Sequence, residues 1–222
     1  FDKKHTSKRE KMKKVLGLGN ALTDVLLQVS EDDLRELGLP KGSMNLISME
    51  QAEQIQMRFA SVRKRMVAGG SASNAIATIA SLGGKAAFIG KIGNDEVGDF
   101  YREDMLKNGV KPLLLSSDKQ MSGCSIVLIT PDGERTFATY LGAAADMQAD
   151  DIHKEAFAGY DIFHIEGYLV QNHDLIEKAI RMAKESGCMV SLDLASYNVV
   201  NENHYFLKEL IKKYVDIVFA NE

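Results

Sequence analysis

The spacing of apolar segments in the last third of the chain places the strongest constraint on the fold. Three β-rich runs end at Ile165, Asp193 and Asn221, with 28 residues between successive ends. Helical patterns over Leu175–Glu185 and about Tyr205–Tyr214 occupy the two intervals. One strand, one helix and two turns fill such an interval, so the spacing predicts a β-α-β-α-β unit with right-handed crossovers.

The preceding residues continue the alternation of short strands and longer helices. A capping-box sequence, Ser48 followed by Gln51, opens one of the helices. Strands are predicted at Lys14–Leu18, Met66–Ala68 and Ala86–Lys91, and helices from about Ser48 to Val62, Ser71 to Leu82 and Glu96 to Asn108. This order of elements predicts an α/β domain with a mostly parallel sheet. Ligands of such sheets bind beyond the carboxyl ends of the strands, where Glu166, Asp193 and Asn221 all fall.

Two stretches are too polar for the centre of a parallel sheet. The first is Val25–Val29, and the second is the pair Gly123–Thr130 and Arg135–Leu141, joined by the turn sequence Pro131-Asp132-Gly133. They predict a small antiparallel sheet, built from about residues 22–30, 43–48 and 122–141. We expect it to project from the α/β body as a lid over the ligand site.

Composition and charge narrow the class of protein further. The 222 residues contain 27 Lys and Arg and 31 Asp and Glu, a net charge of -4. Residues 1–14 carry seven basic and two acidic residues, or +5, which leaves 20 minus 29, or -9, for the remainder. The acidic body argues against nucleic acid as a partner. No run reaches the roughly eighteen apolar residues of a membrane helix, so no membrane association is expected.

The N-terminal residues and the two cysteines bear on the cellular compartment of the protein. Residues 1–11 lack the apolar stretch of a secretory signal and are interpreted as a solvated leader or cloning remnant, with the domain at 12–222. Cys124 and Cys188 lie in apolar runs, where an unpaired thiol behaves as a small hydrophobic group. We therefore predict a protein of the reducing cytoplasm.

Several common catalytic motifs are missing from the sequence. Gly17-Leu18-Gly19 begins like a dinucleotide fingerprint, but Leu22 takes the third glycine position and a strand follows instead of a helix. No Walker A motif and no nucleophile elbow occurs. The five histidines are dispersed, which predicts no transition-metal site.

A glycine turn and an acid after the first strand are the candidate ligand residues. Gly69 and Gly70 precede a helix, where uncovered backbone N–H groups can donate to an oxygen-rich ligand. Asn74 lies one turn into that helix, and its amide suits vicinal hydroxyls. Asp24 is either a turn former or an acceptor for two sugar hydroxyls. Taken separately, both features also fit purely structural turns.

Three segments in order and spacing resemble a known family. They are Gly19–Asp24, Ala68–Asn74 and Gly90–Gly98, and the final Phe219–Glu222 fits the same template. From Met12 to its end, the chain resembles the ribokinase-like family of carbohydrate and nucleoside kinases, also called the PfkB family. The resemblance implies a three-layer α/β/α sandwich with a β-lid, and transfer of phosphate from ATP, with Mg²⁺, to a hydroxymethyl group.

The resemblance also implies roles for individual residues. Asp24 would accept sugar hydroxyls while the glycine turn and Asn74 hold the ring from the opposite side. Arg135 matches a lid arginine that approaches the transferred phosphate. The substrate-binding set is Asn20, Asp24, Met44, Gly69, Gly70, Ser71, Asn74 and Glu166, and the candidates for contacts to ATP are Asn221 and Asp193.

The resemblance leaves the substrate and the chemistry open. Asn20, and Ser71 in place of the lysine usual in ribokinases, look more like adenosine kinases, which favours a nucleoside over a free sugar such as ribose or a ketohexose. The family's catalytic Gly-Ala-Gly-Asp motif is absent, so the general base is expected downstream of Glu222. An inert nucleoside- or sugar-binding module, or a domain whose glycines only form turns, is the alternative. The expected assembly is a monomer or homodimer.

Overall fold

The structure is a computed structural model that describes residues 12–220. Its strands are β1 (Lys14–Leu18), β2 (Leu22–Gln28), β3 (Met44–Leu46), β4 (Arg65–Gly69), β5 (Lys85–Gly93), β6 (Val110–Ser117), β7 (Gly123–Ile129), β8 (Arg135–Tyr140), β9 (Ile162–Ile165), β10 (Met189–Asp193) and β11 (Ile217–Phe219). Its α-helices are α1 (Glu31–Glu36), α2 (Met49–Arg58), α3 (Ser71–Ser81), α4 (Glu96–Lys107), α5 (His173–Glu185), α6 (Tyr197–Glu202) and α7 (His204–Tyr214).

The main sheet has six strands in the order β11-β10-β9-β1-β5-β6, and every neighbouring pair is parallel. From the central β1, the first half of the chain builds outward through β5 and β6, and the second half through β9, β10 and β11. The predicted β-α-β-α-β unit is therefore confirmed. The reversal of strand order beside β1 creates the topological switch point at which such sheets bind ligands.

Alternating side chains of the sheet pack against helices on both faces. Leu16 and Leu18 of β1 join the cluster formed with α5 and α7, whereas Val15 joins the cluster formed with α3 and α4. Helix α5 shows why these segments are helical, since its buried residues recur at one face: Leu175, Ile176, Ala179, Ile180 and Ala183. The three-layer α/β/α sandwich is confirmed.

The lid is a second sheet of five strands in the order β3-β8-β7-β2-β4. The hairpin of β7 and β8 is antiparallel, as predicted, and turns at Gly133, whose φ is +85°. The pairs β2–β7 and β3–β8 are parallel, so the expectation of an antiparallel lid was wrong and the sheet is mixed. The reason is that β2 and β7 lie far apart in the chain, and no short turn dictates the direction of their pairing.

Two strands and two helices, α1 and α6, differ from the sequence prediction. Strand β4 belongs to the lid, where it pairs with β2, although its sequence fitted the alternation of the main sheet. Strand β6 went unpredicted because it starts directly after a glycine and contains Pro112, which confines it to the sheet edge. Helix α1, capped by Ser30 and Asp33, was also missed.

Helices α1 and α2 cover one face of the lid sheet. The predicted capping box of α2, between Ser48 and Gln51, is present. Apolar side chains from both helices and the sheet form a third buried cluster that includes Leu27, Leu34, Ile55, Ile126 and Leu128. The opposite face of the lid stays available to the ligand site. Within residues 12–220, no helix has the length and apolar character needed to cross a membrane.

Candidate active site

A cleft of about 510 Å³ lies where the lid sheet meets the carboxyl ends of the main-sheet strands. Seven of the eight residues predicted to bind substrate line it: Asn20, Asp24, Met44, Gly70, Ser71, Asn74 and Glu166. The eighth, Gly69, lies directly behind the cleft, because a Cβ atom at this position would be 2.5 Å from the carboxylate of Asp24. The structure thus brings the predicted acceptor residues together at the switch point.

Asp24 presents its carboxylate to the cleft. It projects from β2 of the lid sheet into the cleft. Burial raises its pKa to about 6, and the positive charge of Arg135 partly opposes that rise. Among residues 12–220, no protein group donates a hydrogen bond to this carboxylate. Because a half-buried acid without donors is costly, the site favours ligand hydroxyls that supply them.

The glycine turn lies beside Asp24, because Gly69 ends the strand β4 that pairs with β2 and packs against the Asp24 carboxylate. Gly70 has φ of +98° and occupies the N-cap position of α3, where it provides no side-chain cap. A Cβ at this position would collide with the backbone oxygen of Asn20, so glycine is required both for conformation and for space. Ser71 and Asn74 are exposed on the first turn of α3 and line the cleft. The first turn of α3 therefore contributes polar side chains to the same cleft as the Asp24 carboxylate.

Glu166 follows β9 and is buried, with 2% of its surface exposed. Its carboxylate accepts hydrogen bonds from Asn20 Nδ2 at 2.6 Å and from the Ala72 backbone N–H at 3.2 Å. Burial raises its pKa, while these hydrogen bonds oppose the rise. Both partners belong to the protein, so most of the carboxylate is engaged inside the site wall. Its predicted contact with substrate stays a prediction.

The candidates for phosphate and ATP contacts are less central. Asp193 ends β10 and accepts a hydrogen bond from Ser71 Oγ at 3.1 Å, which puts it beside the acceptor cleft. Arg135 is exposed at the start of β8 and is not part of the cleft lining, although its charge acts on Asp24. Asn221 lies outside the described residues. The roles of all three stay predictions.

The sequence prediction missed the apolar and amide-rich walls of the cleft. Phe137 and Thr139, two residues apart on β8, face it from the lid, and this period of two was the available signal. Tyr168 comes from the 3-10 turn after β9, Asn172 is the N-cap residue of α5, and Glu202 comes from α6. Only their positions after strand ends pointed to the site. Among the described lining residues the charged side chains are all acids, and neither Lys nor Arg is present.

Residues 12–220 contain no group of three or more His, Cys, Asp or Glu side chains able to hold a metal ion. Kinases hold Mg²⁺ through one or two carboxylates together with phosphate oxygens, so the Mg²⁺ that the sequence resemblance implied stays a prediction. Asp95, the acid of the third motif, caps α4 by accepting from the Gly98 N–H at 2.8 Å, in agreement with its predicted capping role.

Comparisons with known proteins agree with this geometry. Adenosine kinase from Sinorhizobium meliloti has a similar structure, with 33% identity and a TM-score of 0.81 over 95% of this chain and 65% of that one. Probable fructokinase-2 of Arabidopsis thaliana is 32% identical over 131 residues, or 56% of this chain and 40% of the relative. Aminoimidazole riboside kinase of Salmonella typhimurium is 30% identical over 149 residues, or 65% of this chain and 47% of the relative.

The chain therefore spans less than half the length of these two curated relatives. The model of the pfkB family of carbohydrate kinases matches residues 43–222, which is most of the chain and includes the lid hairpin, the glycine turn and the ends of β9 and β10. The match agrees with the three-layer sandwich and its second, mixed sheet. The chain belongs to the pfkB family of carbohydrate kinases.

Proposed function

We propose that the protein is an ATP-dependent phosphotransferase that phosphorylates the hydroxymethyl group of a ribose-containing nucleoside, as adenosine kinases do. The observation that carries the proposal is the carboxylate of Asp24, which has no protein donor among residues 12–220 and lines the same cleft as the polar first turn of α3. A carboxylate in one cleft with amide and backbone groups suits the two vicinal hydroxyls of a ribose ring.

The rest of the cleft supports a nucleoside over a free sugar. Large apolar side chains surround it while remaining accessible: Met44 is 53% exposed, Leu46 64% and Tyr168 40%. Exposed apolar surface around a pocket is typical of a ligand site, and a sugar alone would leave it uncovered. The base of a nucleoside would cover this wall. The absence of Lys and Arg from the described lining likewise favours an uncharged acceptor.

A free sugar is the second candidate. The similarity to fructokinases, at 32% identity, favours it. A ketohexose would use the same carboxylate of Asp24 and the same turn of α3, but it would bury less of Leu46 and Tyr168. The two candidates therefore differ in how much binding energy the apolar wall contributes, which a comparison of substrates measures directly.

In the proposed reaction, the residues of this chain bind and orient the acceptor. Asp24 accepts the ring hydroxyls, the turn Gly70–Asn74 holds the opposite side, and the lid excludes water when it closes. ATP supplies the γ-phosphoryl group, and an aspartate expected downstream of Glu222 accepts the proton of the attacking hydroxyl. No cluster of three or more metal-ligating side chains occurs among residues 12–220, and we assign no residue to Mg²⁺.

The test is a coupled assay of ADP formation with the full-length protein, ATP and MgCl₂, comparing adenosine, ribose and fructose. Binding of each acceptor is measured in parallel by calorimetry. We expect turnover of adenosine, its loss in Asp24→Asn, and unchanged kinetics in Asp118→Asn, whose exposed side chain lies outside the cleft lining.

Each other outcome has a distinct meaning. Turnover of fructose or ribose without adenosine would replace the nucleoside by a free sugar. Binding of adenosine without ADP formation, by a folded protein, would support the binding module. If the folded protein neither binds nor phosphorylates any of the three, the proposed function is wrong for these substrates.

A further inference from the structure

We propose that Glu166 and Asp193 are positioning residues, which together hold the first turn of α3 and the amide of Asn20 in the geometry that receives the acceptor. The proposal rests on the proposed function, because it concerns the same cleft. In this role Glu166 binds other residues of the protein instead of the acceptor. Asp193, which the sequence resemblance gave as a candidate for contacts to ATP, acts on the acceptor side of the site.

The first observation is that two acids from adjacent strand ends bind consecutive residues of one helical turn. Glu166, after β9, accepts from the Ala72 N–H at 3.2 Å, and Asp193, at the end of β10, accepts from Ser71 Oγ at 3.1 Å. Strands β9 and β10 are neighbours in the sheet. The two carboxylates thus approach the positive end of α3 from the sheet, where negative charge is favourable.

The second observation is that α3 has no cap of its own. Its N-cap residue is Gly70, which has no side chain to accept from the free N–H groups of the first turn. The carboxylate of Glu166 supplies one such acceptor from a different element. Because Ser71 and Asn74 of this turn line the cleft, the cap also determines where these side chains stand.

The third observation concerns the amide of Asn20. Glu166 accepts from its Nδ2 at 2.6 Å, and the Asn20 side chain is almost fully buried at 6% exposure. An ionised carboxylate only accepts hydrogen bonds, so it selects the orientation in which the nitrogen faces Glu166 and the amide oxygen remains for a ligand donor. Gly19 leaves the necessary room, since a Cβ there would be 2.7 Å from Glu166 Oε2.

Asp193 has a second partner that ties it to a constrained turn. Its Oδ1 accepts from the Ala195 N–H at 3.2 Å, and Ala195 is the single non-glycine residue with positive φ, +59°, among those described. Residues other than glycine hold this conformation only where the surroundings impose it. Gly167, next to Glu166, packs against the same turn, with a Cβ position 2.9 Å from Ala195 N. The ends of β9 and β10 are thereby joined.

The test compares Glu166→Gln and Asp193→Asn with Asp216→Asn in the full-length protein. Asp216 is a matched control, because its carboxylate also accepts a backbone N–H, that of Val190 at 2.7 Å, but it precedes β11 at the opposite end of the sheet. Glutamine offers one acceptor oxygen where two donors converge. Either a hydrogen bond is lost, or the Asn20 amide reverses and turns its nitrogen toward the ligand.

The first readout is amide hydrogen exchange over residues 69–76, which needs no substrate. We expect faster exchange there in Glu166→Gln and, to a smaller extent, in Asp193→Asn, and no change in Asp216→Asn. Unchanged exchange in both cleft variants would overturn the proposal. This result would be independent of whether adenosine is the substrate.

The second readout is kinetic. For Glu166→Gln we expect KM for the acceptor to rise about tenfold or more, with a smaller change in kcat, because the lost interaction positions the binding groups. Asp193→Asn, which retains one acceptor oxygen, should preserve more affinity than Asp193→Ala. A fall in kcat at constant KM, or equal loss in Asn and Ala, would contradict the positioning role. If the wild type shows no activity, only the proposed function fails, and the exchange experiment still decides this proposal.

Discussion

At the scale of single residues, we expect the carboxylate of Asp24 to favour acceptor binding and to lower the stability of the folded protein. Burial raises its pKa from 3.8 to about 6, so at neutral pH the folded protein carries a poorly solvated charge. We expect Asp24→Asn to abolish acceptor binding and yet to increase the free energy of unfolding at pH 7.5 by about 1 to 2 kcal/mol. Urea unfolding and calorimetry on the same samples measure both effects. A variant that is less stable than the wild type would contradict the burial argument.

The same shift predicts how stability depends on pH. A group whose pKa is higher in the folded state binds protons more readily there, so its favourable contribution is full below 3.8 and is lost as the pH rises through about 6. The wild type should therefore lose part of its unfolding free energy between pH 4 and 6, relative to Asp24→Asn. Acceptor affinity should change in the opposite sense, falling below pH 6 as the carboxylate becomes protonated. Parallel pH profiles of the two proteins check the signs.

Glycine is required at position 70 for both a conformational and a steric reason. Comparison with a second glycine of similar φ separates the two. Gly70 and Gly83 both have positive φ, +98° and +88°, but a Cβ at Gly83 would meet open space while one at Gly70 would strike the Asn20 backbone. We expect Gly83→Ala to cost about 1 kcal/mol and Gly70→Ala clearly more, with loss of acceptor binding in Gly70→Ala alone. Thermal unfolding and calorimetry provide the measurements. Equal costs would mean that the contact with Asn20 relaxes freely.

At the scale of elements, one acid joins the lid to the α/β body. Asp95 caps α4 and also accepts from both the N–H and the hydroxyl of Ser122, each at 2.7 Å, immediately before β7 of the lid. Ser122 Oγ in turn accepts from the Gly93 N–H at 2.9 Å. The cap of a body helix and the entry to a lid strand therefore share one carboxylate.

This junction predicts an unusually costly cap. We expect Asp95→Ala to lower the unfolding free energy by about 2 to 4 kcal/mol, against about 1 kcal/mol for Ser48→Ala, whose hydroxyl caps only α2. Although burial opposes it, hydrogen bonding from Ser122 and Gly98 lowers the pKa of Asp95, so its contribution is full above pH 3.8 and lost at more acidic pH. Similar costs for the two variants would show that the lid contact adds nothing.

At the scale of the whole molecule, the two sheets differ in how well they are covered. The main sheet is packed by helices on both faces, whereas the lid sheet has helices on one face and the cleft on the other. Fewer buried contacts hold the lid, so it should open at lower free energy than the body. The two buried, free cysteines report on these parts separately, since Cys124 lies in β7 and Cys188 directly before β10.

Thiol reactivity tests this difference. Burial, with a smaller effect from the charge of Asp95, raises the pKa of Cys124 to about 11, and burial also raises that of Cys188, so both should resist modification by a disulfide reagent in the native state. In increasing urea we expect Cys124 to react before Cys188. The single-thiol variants Cys188→Ala and Cys124→Ala allow each rate to be followed alone. Identical rates would indicate that lid and body unfold as one unit.

The local features of this protein could be predicted from its sequence. The capping residues Ser48 and Asp95 act on N–H groups three residues away, and Gly70 and Gly133 hold backbone conformations that favour glycine. Such interactions connect near neighbours in the chain, so the residue types alone reveal them. The 28-residue spacing likewise predicted parallel strands, and a position after one of their ends, Glu166, lines the cleft.

Pairing between distant segments was decided only by the tertiary structure. The sequence of β4 is compatible with either sheet, and its pairing with β2 brings Gly69 against Asp24. Glu166 was identified as a site residue, but its hydrogen bonds to Asn20 and Ala72 join three segments that the sequence separates. Sequence periodicity fixes which face of an element is buried. Which partner covers that face depends on packing and hydrogen bonding summed over the folded chain, and no single segment contains that information.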